Sequence, residues 1–380
     1  MSDTKESVVR LCRRCVNPSS RPNIFFDDEG VCPVCRFEEE KRQQSVDWEA
    51  RDRELQEIIA WGRVNTKSSY DCIVTVSGGK DSTRQALYAR DELGLKPLLV
   101  SCVYPPEQLH ERGAYNLANL IELGFDTLSI SLDPQAWKKM MRQSFFKHAN
   151  WCKSTEMALY AIPIHAAIAY KIPLIFLGEN PALTIGERHG RLDGDASRMK
   201  YCNTLGGGDP SGLMPEDVVP KDVYFYKYPS DDEMEWAKLR IIYLGYYIRD
   251  WSGRNNAAFA MAHGLQVRHE PPEQTGDLWG FTGLDEDFRL VNQMIKYLKF
   301  GFGHVSDQVC EAINAGLMDR AEGIELLKKY DGKCDHSFIE RFCRYLEISE
   351  KEFWRVVEAS RGDMWQRDEA GEWRLRIDYS

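Results

Sequence analysis

Long apolar runs are the first thing this sequence lacks. No stretch approaches the roughly 18 consecutive apolar residues that a membrane-spanning helix needs. The opening residues, Met1-Ser2-Asp3-Thr4-Lys5-Glu6, are polar where a secretory signal would be apolar. The expectation is a cytoplasmic protein. Positive charge is also short: 49 Lys and Arg against 59 Asp and Glu leave a formal charge of −10. That balance withholds the whole-molecule attraction on which nucleic-acid binding rests. One modest candidate for a local basic patch is Lys138-Lys139 with Arg142. No internal repeat is visible.

What is present is an ordinary globular composition, 43% apolar and 28% charged over 380 residues, long enough for two or three domains and a sizeable core. Eleven cysteines stand out. In a chain without an export signal they point to metal or sulfur chemistry rather than disulfides. Four are paired as Cys12-Arg13-Arg14-Cys15 and Cys32-Pro33-Val34-Cys35, with 16 residues between the pairs. This is the spacing of a four-thiolate zinc site. With all four positions filled by cysteine, the ion would be closed to substrate and structural. The intervening Ile24–Gly30 reads as a hairpin of a zinc ribbon. Reduced structural thiols and an iron–sulfur cluster are the alternatives.

The stretch Asp71-Cys72-Ile73-Val74-Thr75-Val76-Ser77-Gly78-Gly79-Lys80-Asp81-Ser82-Thr83 reads as buried strand, tight loop and helix start. Glycines let backbone N–H groups converge on an anion at the helix N-terminus, and Lys80 with the hydroxyls of Ser77, Ser82 and Thr83 would add donors. The spacing is not that of Walker A, which needs four residues before its Gly-Lys pair. The Ser-Gly-Gly-Lys-Asp-Ser run resembles the PP-loop of the ATP pyrophosphatase superfamily. That resemblance implies cleavage between the α and β phosphates of ATP.

Strand-like runs recur at Ile73–Val76, Leu98–Val103, Thr127–Leu132 and Leu174–Leu177, with helical stretches Glu107–Glu122, Gln135–His148 and Thr155–Ala169 between them. The alternation predicts an α/β fold, a Rossmann-like parallel sheet covered on both faces. The expected organisation is a four-cysteine ribbon over 1–47, a helical linker over 48–66 and the ATP-binding α/β domain over 67–230. A mainly helical C-terminal region over 231–380 would bind substrate and partner. Glycine- and proline-rich Ile185–Pro229 is expected to be a lid or disordered. Asp319 with Glu322, and Ser349 with Glu352, read as capping boxes. Gly178-Glu179-Asn180-Pro181 ends the fourth strand, so Glu179 and Asn180 either face the nucleotide or form a simple turn.

Further on, Lys299-Phe300-Gly301-Phe302-Gly303 and Tyr330-Asp331-Gly332-Lys333-Cys334 read bottom-up as irregular packing loops. Together with the cysteine pairs and the PP-loop, they resemble the N-acetyl sugar amidotransferases of bacterial lipopolysaccharide O-antigen and flagellin-glycan pathways. The likeness runs to Ile348–Trp354. His304 departs from it, standing where an arginine is expected, and Arg268–Gly283 has no counterpart. The resemblance implies conversion of an acetamido group on a nucleotide-linked sugar into an acetamidino group. ATP is consumed to AMP and pyrophosphate. Ser77, Gly78, Gly79, Asp81 and Ser82 would hold the pyrophosphate half, Lys80 would offset developing charge and Asp81 would touch Mg2+ indirectly, with the catalytic burden on Lys80, Asp81 and Ser82. No glutaminase nucleophile is visible, and Ser2 excludes a cysteine exposed by Met1 removal. The resemblance therefore implies ammonia from a separate glutaminase subunit like that of histidine biosynthesis, with or without its cyclase-like companion.

Two other classes compete. A PP-loop tRNA thiolase would use Cys152, Cys202 or Cys310 for sulfur transfer, although buried cysteines are common without such a role. A non-enzymatic adaptor would carry a degenerate loop, which an intact Ser-Gly-Gly-Lys-Asp-Ser opposes.

Overall fold

The computed structural model describes residues 8–186, 191–202 and 204–380. Met1–Glu6 and parts of Ile185–Pro229 lie outside the described residues. The chain opens on β1 (Val9–Arg10) and the first cysteine pair, and the second pair begins α1 (Pro33–Arg42). Helix α2 (Trp48–Asn65) leads into β2 (Cys72–Thr75), α3 (Lys80–Leu87), β3 (Pro97–Val103), α4 (Glu111–Glu122), β4 (Thr127–Ser131), α5 (Pro134–His148), α6 (Cys152–Tyr170) and β5 (Leu174–Leu177). After α7 (Pro181–Thr184) and α8 (Asp231–Trp236) comes β6 (Arg240–Tyr243). Then follow α9 (Gly253–Ala262), α10 (Pro272–Thr275), α11 (Phe288–Phe300), α12 (His304–Asn314), α13 (Arg320–Tyr330), α14 (His336–Leu346) and α15 (Glu350–Ala359). Short strands β7 (Trp365–Arg367), β8 (Trp373–Leu375) and β9 (Ile377–Asp378) end the chain.

Five strands form one parallel sheet in the order β4-β3-β2-β5-β6. Their residues alternate between two cores, as the two-residue period of a strand requires. Ile73, Leu98, Val100 and Ile175 face one core with α5 and α6, while Val74, Leu99, Leu174 and Phe176 face the other with α2, α3 and α4. Both faces are thus covered, as expected for a parallel sheet. Helix α2 does more than link, because its Leu55, Ile58 and Ile59 are almost fully buried against the sheet. The sheet also takes β6 from beyond residue 230, inside a region expected to be helical. Its four residues are too short to show a period.

Two expectations change. Ile24–Gly30 forms no strands: Asp27 Oδ1 accepts from the N–H groups of Glu29 (3.0 Å) and Val31 (2.9 Å), closing a tight turn. The described part of Ile185–Pro229 is packed rather than loose, in short turns whose Leu205, Leu213, Val223 and Tyr226 are buried in the α6 core. Scattered apolar residues among glycines still bury when a long apolar helix lies beneath them. Ser349 and Glu352 do form a reciprocal cap on α15, and Asp319 caps α13 through the Glu322 N–H. Among the described residues no helix is long and apolar enough to cross a membrane.

The cysteine segment and the C-terminal helices share one core, which joins Val9, Leu11 and the four cysteines to Val305, Val309, Ile324, Leu327 and Met364. β1 pairs in parallel with β9. Arg320 donates to the carbonyls of Cys15 (3.1 Å) and Tyr379 (3.1 Å), tying the first cysteine turn to the chain's last residues.

Candidate active site

The Ser77–Ser82 loop leaves the carboxyl end of β2, between β3 and β5, where strand order reverses and open α/β sheets bind ligands. Gly78 is at φ +81, and a Cβ there would stand 2.8 Å from the Leu117 backbone nitrogen. Only glycine fits that approach. Gly79 precedes α3 with no side chain capping the helix, which leaves the first-turn N–H groups aimed outward. Ser82 is buried, and its hydroxyl accepts the Ser77 N–H at 2.9 Å. It therefore braces the loop, which is less open to solvent than the sequence implies. Thr83 Oγ1 donates to the Gly79 carbonyl at 3.1 Å.

Lys80 pairs with Asp81, whose other oxygen accepts from Asn256 Nδ2 at 2.8 Å. Burial opposes the Lys80 charge, but Asp81 and then Glu179 hold its ammonium above the usual range. Glu179 lies deep among protein atoms yet meets solvent through the cavity. Burial, then Asp81, push its carboxyl up, and that push strengthens when a ligand displaces cavity water. Asn180 lines the same cavity and also forms a turn. It caps α7 and donates Nδ2 to the carbonyls of Arg191 (2.7 Å) and Asp193 (2.8 Å), so its polar atoms are spent within the fold.

The loop opens on a cavity of about 360 Å³. Its far wall comes from α12, which presents His304, Asp307 and Glu311, and from the cysteine segment, which presents Asn17 and Arg21. Glu311 Oε1 accepts the Arg254 N–H at 2.9 Å, and a Cβ on Gly253 would come within 2.8 Å of Oε2. Burial raises the Glu311 carboxyl, with Lys80 opposing and Asp81 adding to the rise. His304 is buried, and desolvation followed by Arg289 drives its imidazole down to about 3, so it is neutral at working pH. The two glycine motifs explain this wall. Asp331, buried, accepts from the N–H groups of Gly303 (2.9 Å) and Val305 (3.1 Å) and from Ser306 Oγ (2.7 Å), fixing the start of α12.

A second, smaller space of about 100 Å³ lies between the loop and Phe281–Asp285. That strap is pinned by buried Asp287, which takes Arg268 (2.9 Å), Arg112 (3.1 Å) and Arg341 (3.2 Å). Arg112 and Arg268 also hold the carbonyls of Leu284 and Gly283, each at 3.0 Å. Sequence reading missed Asn256, Glu311 and the strap. No local pattern marks any of the three, because each meets the loop only through tertiary packing.

The four cysteine sulfurs lie within 4.8 Å of one another and are buried. Cys12–Cys35 and Cys15–Cys32 are 3.9 and 3.8 Å apart. A tetrahedron with metal–sulfur bonds of 2.3 Å has edges of about 3.8 Å, so the set fits one ion. It is too tight for a cluster, whose iron and sulfide would spread the cysteines. The N–H groups of Asn17 and Cys32 donate to Cys15 and Cys12 Sγ, both at 3.3 Å, as thiolates need. Asn314 Oδ1 lies 3.2 Å from Cys35 Sγ while its Nδ2 is buried without a partner. Turned over, the amide would donate Nδ2 to a metal-bound thiolate.

Of the competing cysteines, only Cys310 lines the cavity, beside Cys15. Cys202 is buried in the main core and Cys152 packs against it. The basic patch is neutralised: Lys138 pairs with Glu107 (3.3 Å) and Glu347 (3.2 Å), and Lys139 with Asp217 (2.6 Å).

Among the curated proteins compared, none matches the chain. Of the solved structures, the NMN synthetase from Francisella tularensis is similar over 60% of this chain and 99% of that one, at 13% identity and a TM-score of 0.26. A likeness at that score leaves the fold to be argued from the sheet and the loop themselves. Residues 280–377, which supply the cavity's far wall, match the family described as LPS biosynthesis protein WbpG-like, C-terminal domain.

Proposed function

We propose that this chain is a cytoplasmic, ATP-consuming amidotransferase that converts the acetamido group of a nucleotide-linked N-acetyl sugar into an acetamidino group, serving lipopolysaccharide O-antigen or related surface-glycan synthesis. One observation carries the reading. The Ser77–Ser82 glycine loop, through Lys80 and Asp81, and the region similar to a lipopolysaccharide-biosynthesis domain face each other across one cavity.

An amide carbonyl is a poor electrophile, so its oxygen is first activated. That oxygen bonds to the α-phosphorus of ATP, the bond to the β-phosphate breaks, and pyrophosphate leaves. The free N–H groups of Gly79 and the first turn of α3, with Lys80, stabilise the charge on the departing group. Asp81 and Glu179 would hold Mg2+, which would offset phosphate charge. Ammonia then bonds to the imidate carbon, the carbon–oxygen bond breaks, and AMP leaves carrying the former amide oxygen. A proton must come off the attacking nitrogen, and Glu311, in the cavity wall with burial raising its carboxyl, accepts it. Neutral His304 suits an uncharged acetamido group better than an arginine would. The ammonia comes from a separate glutaminase subunit.

The test is the nucleotide product. With ATP, magnesium, ammonium and a panel of UDP- and CMP-linked N-acetyl sugars, AMP and pyrophosphate should accumulate only with the right sugar. ADP and phosphate would refute the mechanism. Cys152→Ser and Cys202→Ser should leave this activity intact; loss of both activities together with sulfur entering tRNA would favour thiolation.

A further inference from the structure

The cysteine segment does not hang from the enzyme as a separate module. Asn17 donates its backbone N–H to Cys15 Sγ, and its side-chain Oδ1 accepts from Arg21 Nε at 2.8 Å. Arg21, with its side chain only 8% exposed, pairs with Asp307 and lies over the Phe302 ring at 4.5 Å. Asn314, which faces Cys35 Sγ, lies at the other end of the same α12 wall. Asn17, Arg21 and Asn314 all line the cavity that holds Lys80, Asp81 and Glu179. The groups that contact the sulfurs from outside are therefore wall residues of the active site. Four thiolates this close repel one another unless a cation lies among them. Sulfur–ligand hydrogen bonds, and hence the places of Asn17 and Asn314, change with metal occupancy.

We infer that the four-cysteine site is a positioning device for the sugar-nucleotide cavity. A bound zinc fixes Asn17, Arg21 and Asn314 in the wall, so that metal occupancy governs acceptor affinity while nucleotide binding at the glycine loop stays independent of it. The inference rests on the proposed acceptor reading of the cavity. Arg21, Asn17 and Asn314 act as positioning residues, and chemistry stays with the loop and Glu311.

The test uses the full chain with one zinc per chain, established by elemental analysis, and the UDP- or CMP-linked N-acetyl sugar that the wild type converts. Asn17→Ala and Arg21→Met should raise the KM for that sugar about tenfold or more, while the KM for ATP and the zinc content stay within twofold. Asn17→Asp, which keeps the oxygen acceptor for Arg21, should restore the sugar KM toward wild type. Chelation should weaken calorimetric binding of the same sugar and re-addition of zinc should restore it, with far-ultraviolet circular dichroism unchanged. Equal sugar KM in Asn17→Ala, Arg21→Met and wild type overturns the inference, as does a parallel rise in the ATP KM, which would mark a general structural role. If the wild type binds no sugar of the panel, the acceptor reading fails instead.

Discussion

Gly78 and Glu311 mark the two ends of what single residues reveal. Gly78 was legible because the whole Ser-Gly-Gly-Lys-Asp-Ser run follows a β-branched strand, and its φ of +81 against Leu117 supplies the reason. Gly78→Ala should lower stability by about 1–2 kcal/mol from the left-handed backbone alone, measured by denaturant unfolding, and AMP formation should collapse because the loop cannot close on phosphate. Glu311 was not legible as a site residue. It reaches the loop from a helix some two hundred residues later, and nothing local in Val309-Cys310-Glu311-Ala312 marks it as cavity-facing. Gln at this position keeps the Arg254 contact but takes no proton. Glu311→Gln should leave sugar-dependent exchange of pyrophosphate into ATP intact and slow amidine formation by about a hundredfold or more. Loss of both half-reactions would assign Glu311 to ATP binding.

At the scale of elements, the four sheet strands read from the sequence fall within a residue or two of the structure: β2, β3 and β5 because strands buried on both faces leave apolar runs, and edge strand β4 by its alternation. The strap over the loop was invisible, since Arg268, Asp287 and the carbonyls they hold only meet through tertiary packing. Next to Asp287, Glu286 is buried with Oε2 unpaired, and burial followed by Asp285 and Asp287 pushes its carboxyl up to about 8. A carboxyl raised in the fold binds its proton more tightly there than in the unfolded chain. The stability it lends is complete below the unfolded value near 4.5 and is lost as pH rises through about 8. Thermal midpoints should therefore fall between pH 6 and about 8.5, and Glu286→Gln should flatten that fall relative to wild type. Parallel curves for the two proteins would show that Glu286 is not the group responsible.

Across the whole molecule, the sequence announced a cysteine ribbon, a linker, an α/β domain and a helical region, and their chemistry was easier to read than their union. Spacing alone identified the cysteine set, since four thiolates around one ion impose C-x2-C pairs. That β1 pairs with β9, and that Arg320 holds the cysteine turn to the C-terminus, depends on contacts more than three hundred residues apart, which no local pattern encodes. The result is an active-site cavity with one wall from each block. The central claim, that the acceptor's own amide oxygen is activated by adenylation, is tested most directly by an isotope. A nucleotide-linked N-acetyl sugar carrying heavy oxygen in its acetamido carbonyl is incubated with the protein, ATP, magnesium and ammonium, and both products are weighed by mass spectrometry. The account predicts heavy oxygen in the AMP phosphate and an acceptor in which NH has replaced it. Heavy oxygen retained on the acceptor while ATP is consumed, or unlabelled AMP beside an amidine, would contradict it.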